Sequence, residues 1–145
     1  MGPCHLWCHD DRPSWSGRLC DVLASGIHHV SINVDDVAAA AAFYADRLGL
    51  TVRGDRPDFG VDGAWLDCGG QQVHLIMGEV PAGLGQHFAF AVHDLDAAVA
   101  NLREEGLDVT DPRPVGPGRQ SFLHDPSGNL VELNEAETST ARSAS

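Results

Sequence analysis

The chain has no lysine at all: its nine basic residues are arginines, set against 21 acidic residues for a formal net charge of -12. Without an ε-amine there is no Schiff-base chemistry and no P-loop, both of which need lysine. The acidic balance argues equally against nucleic acid or an anionic membrane surface as a partner. No apolar run approaches the length of a membrane span. The segment from Met1 to Cys8 lacks the basic-then-apolar order of a signal peptide, so the expected setting is cytoplasmic. Cysteine is sparse too. Cys4, Cys8 and Cys20 fall in the first twenty residues and Cys68 stands alone, which is neither a disulfide framework nor a pair of zinc knuckles. All four are read as thiols, and the Cys4-His5, Cys8-His9 cluster as part of an irregular leader.

What is present is a repeat. The stretch from His29 to Val37 matches that from His87 to Leu95 at an offset of 58 (87 − 29), and Asp67, Gly70, Val73, His74 and Leu75 fall on Asp125, Gly128, Val131, Glu132 and Leu133 at the same offset. With 145 residues and 43% hydrophobic composition, the chain has room for one domain made of two such units. Residues 1–26 show no periodicity and are expected to be an irregular extension. The ordered domain is expected over 27–134, with module one at about 27–78 and module two at about 85–134, and 135–145 form a polar tail.

Each module opens with strand-like alternation, continues into an Asp N-cap (Asp36, Asp94) and apolar residues at helical spacing, and reaches a glycine at Gly49 or Gly106. Short β-prone runs follow over 64–68, 71–77, 120–124 and 129–134, so the expectation is βαβββ twice, an α+β fold. Strand parity then sorts the side chains. Val30, Ile32, Val34, Val73, Leu75, Met77, Phe88, Phe90, Val92, Val131 and Leu133 point toward the helices, and His29, His74, His87 and Glu132 share the opposite face.

Three imidazoles and a carboxylate suit a divalent ion such as Ni, Zn, Co, Fe or Mn, and four protein ligands leave two octahedral positions for substrate. The four are therefore the candidate metal ligands. Parity sends His28 to the helix side, and neither His93 nor His124 has a histidine at the matching position of the other module. The run Asp125-Pro-Ser-Gly-Asn129 reads as a hairpin turn. Trp65, Phe59 and Arg119 are candidate cavity residues, and Tyr44 is expected in the core.

His29-Val30, Phe43-Tyr44 with Leu48-Gly49-Leu50, His87-Phe-Ala-Phe-Ala-Val92, and Asp125-Pro126 with Gly128-Asn-Leu-Val-Glu-Leu133 together make the chain resemble the vicinal oxygen chelate superfamily of glyoxalases, bleomycin resistance proteins and dioxygenases. The resemblance spans about Ile27 to Asn134. It implies two modules forming a cupped eight-stranded partial barrel with helices outside, a divalent metal, and a small substrate chelated through neighbouring oxygens. It further implies a glyoxalase I-like lyase, isomerase or epimerase working through a metal-stabilised enediolate, with Glu132 as the catalytic proton carrier. An extradiol-type Fe(II) dioxygenase and a bleomycin-resistance-like sequestration protein are the alternatives. The glyoxalase and epimerase branches commonly have Glu or Gln where this chain has His74, which leaves Glu132 as the matched acidic ligand. A homodimer is expected, because relatives pair modules across or within chains and open sheets leave edges to cover.

Overall fold

A computed structural model describes residues 26–83 and 85–136. The leader cluster Cys4-His5, Cys8-His9 and the tail beyond 136 lie outside the described residues. Within them the strands are β1 (His29–Val34), β2 (Thr51–Val52), β3 (Gly63–Cys68), β4 (Gln71–Met77), β5 (His87–Ala91), β6 (Arg113–Val115), β7 (Gly118–His124) and β8 (Leu130–Glu135), and the helices are α1 (Val37–Ala42) and α2 (Leu95–Glu104). They form two four-stranded sheets with strand orders β1-β4-β3-β2 and β5-β8-β7-β6. The duplication expected from the 58-residue offset is therefore a duplication of topology. The sheets are not closed into a barrel.

Each helix starts where its aspartate accepts from a first-turn amide: Asp36 Oδ1 from Ala39 N at 2.9 Å and Asp94 Oδ1 from Ala97 N at 2.9 Å. Such a cap satisfies one of the amides a helix start leaves unpaired. Both helices run out into left-handed glycines, Gly49 at φ 75° and Gly106 at φ 85°. Module one spends one residue more between cap and glycine (49 − 36 = 13, against 106 − 94 = 12). The surplus is absorbed as a π-helical turn over Phe43–Arg47, which buries Phe43 and Tyr44 side by side.

The core lies between helices and sheets, as parity predicts. Val34, Leu66, Val73 and Leu75 pack under module one's helix, and Phe90, Leu123, Val131 and Leu133 under α2 with its Leu95, Val99 and Leu102. Met77 departs from the apolar-face expectation and remains exposed at the end of β4. Tyr44 reaches across to module two, its ring centroid 6.3 Å from those of both Phe88 and Phe90.

The turn after β7 fastens the modules together. Buried Asp125 accepts from Ser127 N, Asn129 N and Asn129 Nδ2 at 2.8–3.0 Å and from Tyr44 Oη at 2.8 Å. Ser127 Oγ donates to Asp35 Oδ1 at 2.6 Å, and Asn129 Nδ2 donates to Asn33 O at 3.0 Å. The stretch read as a plain hairpin is thus also the clasp between the two repeats. Strand β8 runs one residue beyond the expected domain end, and Glu135 Oε1 there accepts from Leu95 N at the start of α2, 2.9 Å away.

Candidate metal centre

In module one, parallel pairing sets His74 of β4 opposite Ser31 of β1, one diagonal step from His29 on the same face. The two imidazoles stack with centroids 4.1 Å apart and planes 13° from parallel. Trp65 of β3 faces His74 in the antiparallel register and stacks on its other side at 4.7 Å. Phe59 follows at 6.0 Å from Trp65, with Arg56 Cζ 5.1 Å from the Phe59 centroid. Module two repeats the plan. His87 opens β5, Glu132 of β8 stands opposite Ala89, and Phe122 of β7 lies opposite Glu132 with its ring edge-on to His87 at 5.2 Å.

Glu132 is nearly buried and fully engaged: Oε2 faces His87 Nε2 at 2.9 Å and Oε1 accepts from Asn134 Nδ2 at 2.8 Å. His87 Nδ1 lies 2.8 Å from Gly85 O. A carbonyl only accepts, so Nδ1 carries a hydrogen, and the contact between Nε2 and Oε2 needs a further proton. Two ligands held at about 2.1 Å and at right angles on one ion stand about 3.0 Å apart. The 2.9 Å spacing of His87 Nε2 and Glu132 Oε2 fits that geometry, with a cation taking the place of the shared proton.

The module-one pair is less prepared. His29 Nδ1 contacts His28 Nδ1 at 3.0 Å, leaving its Nε2 available, but His74 Nε2 is 2.8 Å from Gln72 Oε1 and must leave that amide to bind an ion through Nε2. Desolvation first, and then the nearby His29, His28, Arg53 and Arg56, push the His74 pKa down, which favours the neutral imidazole that metals require.

The four expected ligands come together as two pairs, one per module. Among the described residues no group of three or more His, Cys, Asp or Glu side chains is close enough to hold an ion. A cavity of about 520 Å³ opens at the seam of the two sheets, lined by Ser31, Asn33, His87, Phe88, His124 and Leu130 among others. His28, expected on the helix side, lies instead ahead of β1 and stays exposed beside His29, because the strand alternation has not yet begun there. Arg119 is not a cavity residue: it pairs with Asp96 at 2.8 Å and Glu135 at 2.9 Å, bracing α2 against β8. Arg56 was not a sequence candidate, and only the fold brings it over the aromatic row.

A family model described as Glyoxalase/Bleomycin resistance protein/Dioxygenase superfamily matches residues 26–133. The chain belongs to that superfamily. The match spans both repeats, from β1 into β8. An ethylmalonyl-CoA/methylmalonyl-CoA epimerase from Cereibacter sphaeroides is 34% identical over 129 residues, covering 75% of this chain and 96% of the relative. Among solved structures, a glyoxalase family protein from Bacillus anthracis superposes with TM-score 0.71 at 26% identity, covering 79% of this chain and 97% of the other. TnmS3, an antibiotic binding protein from Streptomyces sp. CB03234, superposes with TM-score 0.66 at 27% identity, covering 79% and 98%. No helix among the described residues is long and apolar enough to cross a membrane.

Proposed function

We propose that the protein is a divalent-metal-dependent lyase or isomerase of the glyoxalase or epimerase kind, acting on a small oxygen-chelating substrate in the cytoplasm. It works as a homodimer in which His29 and His74 of one copy face His87 and Glu132 of another. The observation that carries this reading is the equivalence of two incomplete donor pairs, His29 with His74 and His87 with Glu132, on matching strands. One pair supplies two of the four expected protein ligands, so completion calls for a second module brought face to face with the first.

A bound divalent ion would supply a Lewis acid that lowers the cost of an enediolate beside a polarised carbonyl. The chain's own groups do the rest. Glu132 takes a proton from the carbon next to the carbonyl and returns it, at Oε2, when that oxygen is not engaged as a ligand. Asn134 holds Oε1 and fixes the carboxylate plane. Trp65 stacks on His74 and Phe122 stands edge-on to His87, so each pair has an aromatic ring on one flank. A site held by all four side chains would have room for a bidentate substrate but not for substrate plus O₂, which favours this reading over the dioxygenase one.

Metal complementation tests the assembly. His29→Ala and His87→Ala each lose tight Co(II) binding, and mixing the two after reversible unfolding restores about one quarter of the sites, because half the dimers are mixed and each mixed dimer has one intact site. No restoration, or a monomeric scattering mass at full metal affinity, overturns the cross-chain site. Assays of the metal-loaded protein with thiol hemiacetals and acyl-CoA epimers, following α-hydrogen exchange with deuterium, test the chemistry. Glu132→Gln should abolish exchange. Silence in every assay together with tight binding of an aromatic antibiotic would favour sequestration, the role that the TnmS3 likeness brings forward.

A further inference from the structure

Arg56 stands out in a chain so poor in positive charge. Of the six described arginines, Arg47 pairs with Glu105, Arg53 with Asp55 and Asp67, Arg103 with Asp111, and Arg119 with Asp96 and Glu135. Among the described residues Arg56 and Arg113 have no such carboxylate. Arg113 lies exposed on the short β6. Arg56 is half-buried and positioned: Nη2 donates to Val61 O at 2.9 Å, Nη1 reaches Pro57 O at 3.4 Å, and the guanidinium lies over the Phe59 ring. Two of its five N–H groups are engaged in this way, and three remain.

The placement depends on a missing side chain. Arg56 Nη2 is 2.8 Å from the point a Cβ on Gly63 would occupy, so a larger residue there would have to move the guanidinium. Gly63 and Trp65 share a face of β3, and Trp65 is opposite His74. Two strand residues span about 7 Å. An unneutralised fork of N–H donors is therefore fixed on the donor-bearing face, one side-chain row from His74, with Phe59 and Trp65 between.

We propose that Arg56 is the docking point for a carboxylate carried by the substrate, so that the substrate class is a small acid with chelating oxygens at one end and an anionic group at the other. The inference deepens the metal-enzyme reading and rests on it for the position of the reacting end. Phe59, itself exposed, presents its ring face to the guanidinium and helps to hold it in place.

The test uses 2-oxoglutarate, which has a chelating end and a distal carboxylate, and 2-oxopentanoate, which lacks the distal charge. Both are titrated into the ¹⁵N-labelled full chain, Zn-loaded and metal-free, following the Arg56 Nε–Hε signal assigned through its loss in Arg56→Met. Binding to the loaded protein is measured by calorimetry. A saturable shift of the Arg56 signal with 2-oxoglutarate is expected, together with a preference of about ten-fold or more over 2-oxopentanoate. Arg56→Met should bring that preference to unity while Zn still binds near one equivalent, and Arg56→Lys should retain part of it. Equal affinities for the two acids, a preference that survives Arg56→Met, or an Arg113 signal that moves with the same saturation would overturn the proposal. Failure of Zn to bind near one equivalent would instead sink the metal reading, and the Arg56 signal of the metal-free protein still decides the docking point.

Discussion

Tyr44 is the only tyrosine in the chain, so its ionisation can be followed without ambiguity. It is fully buried, and its hydroxyl donates to Asp125, itself a buried acceptor of four hydrogen bonds. Burial first, then the charge and hydrogen bond of Asp125, push the phenol pKa far above its ordinary value of 10.0. The folded state thus keeps the proton where the unfolded chain releases it. A group whose folded pKa is raised contributes stability that is complete below the unfolded pKa and is lost as pH climbs above it. Unfolding free energy should be flat in this term below pH 10 and should fall by about 1.4 kcal/mol per pH unit above it, until the protein unfolds. Absorbance at 295 nm should show no tyrosinate until that transition, and then a cooperative appearance coincident with loss of secondary structure. Tyr44→Phe should remove this alkaline slope. It also takes a donor from a buried carboxylate, which costs about 2 kcal/mol at neutral pH and lowers Tm by roughly 8 °C or more. A reversible, non-cooperative tyrosinate titration near pH 10 in the folded protein would refute the argument, as would a Tyr44→Phe variant as stable as the parent.

Two further predictions concern the sheets. Ser121 is buried on β7 with no hydrogen-bond partner for its hydroxyl among the described residues. Ser121→Ala should therefore raise stability by about 1 kcal/mol in urea unfolding, and a loss of stability instead would reveal a partner for that oxygen. A Cβ on Gly63 would lie 2.3 Å from Leu75 O, so Gly63→Ala should force β3 away from β4 and lower Tm, by about 1–3 kcal/mol in equivalent free energy, while Gly54→Ala, in open space, serves as the mild control.

Much of the protein is determined by local pattern. The alternation of Val30, Ile32 and Val34 with His29, Ser31 and Asn33 assigns two faces because strand periodicity is two, whatever the sheet does next. Asp36 and Asp94 cap helices because the interaction spans only three residues. The 58-residue offset made the second module readable from the first, and with it the equivalence of His29 with His87 and of His74 with Glu132. The extra residue before Gly49 was countable in the sequence, but its form as a π-helical turn depends on Tyr44 finding Phe88, Phe90 and Asp125 in the other module. The double role of the Asp125–Asn129 turn was hidden for the same reason: its partners Asp35, Asn33 and Tyr44 lie more than 80 residues away. Parity says which face a donor occupies, but not whether two such faces meet, since the relative placement of sheets is set by long-range packing. Only tertiary structure could therefore show that the four donors stand as two pairs, and that Arg56, from a loop without periodicity, lies over Gly63 beside one of them.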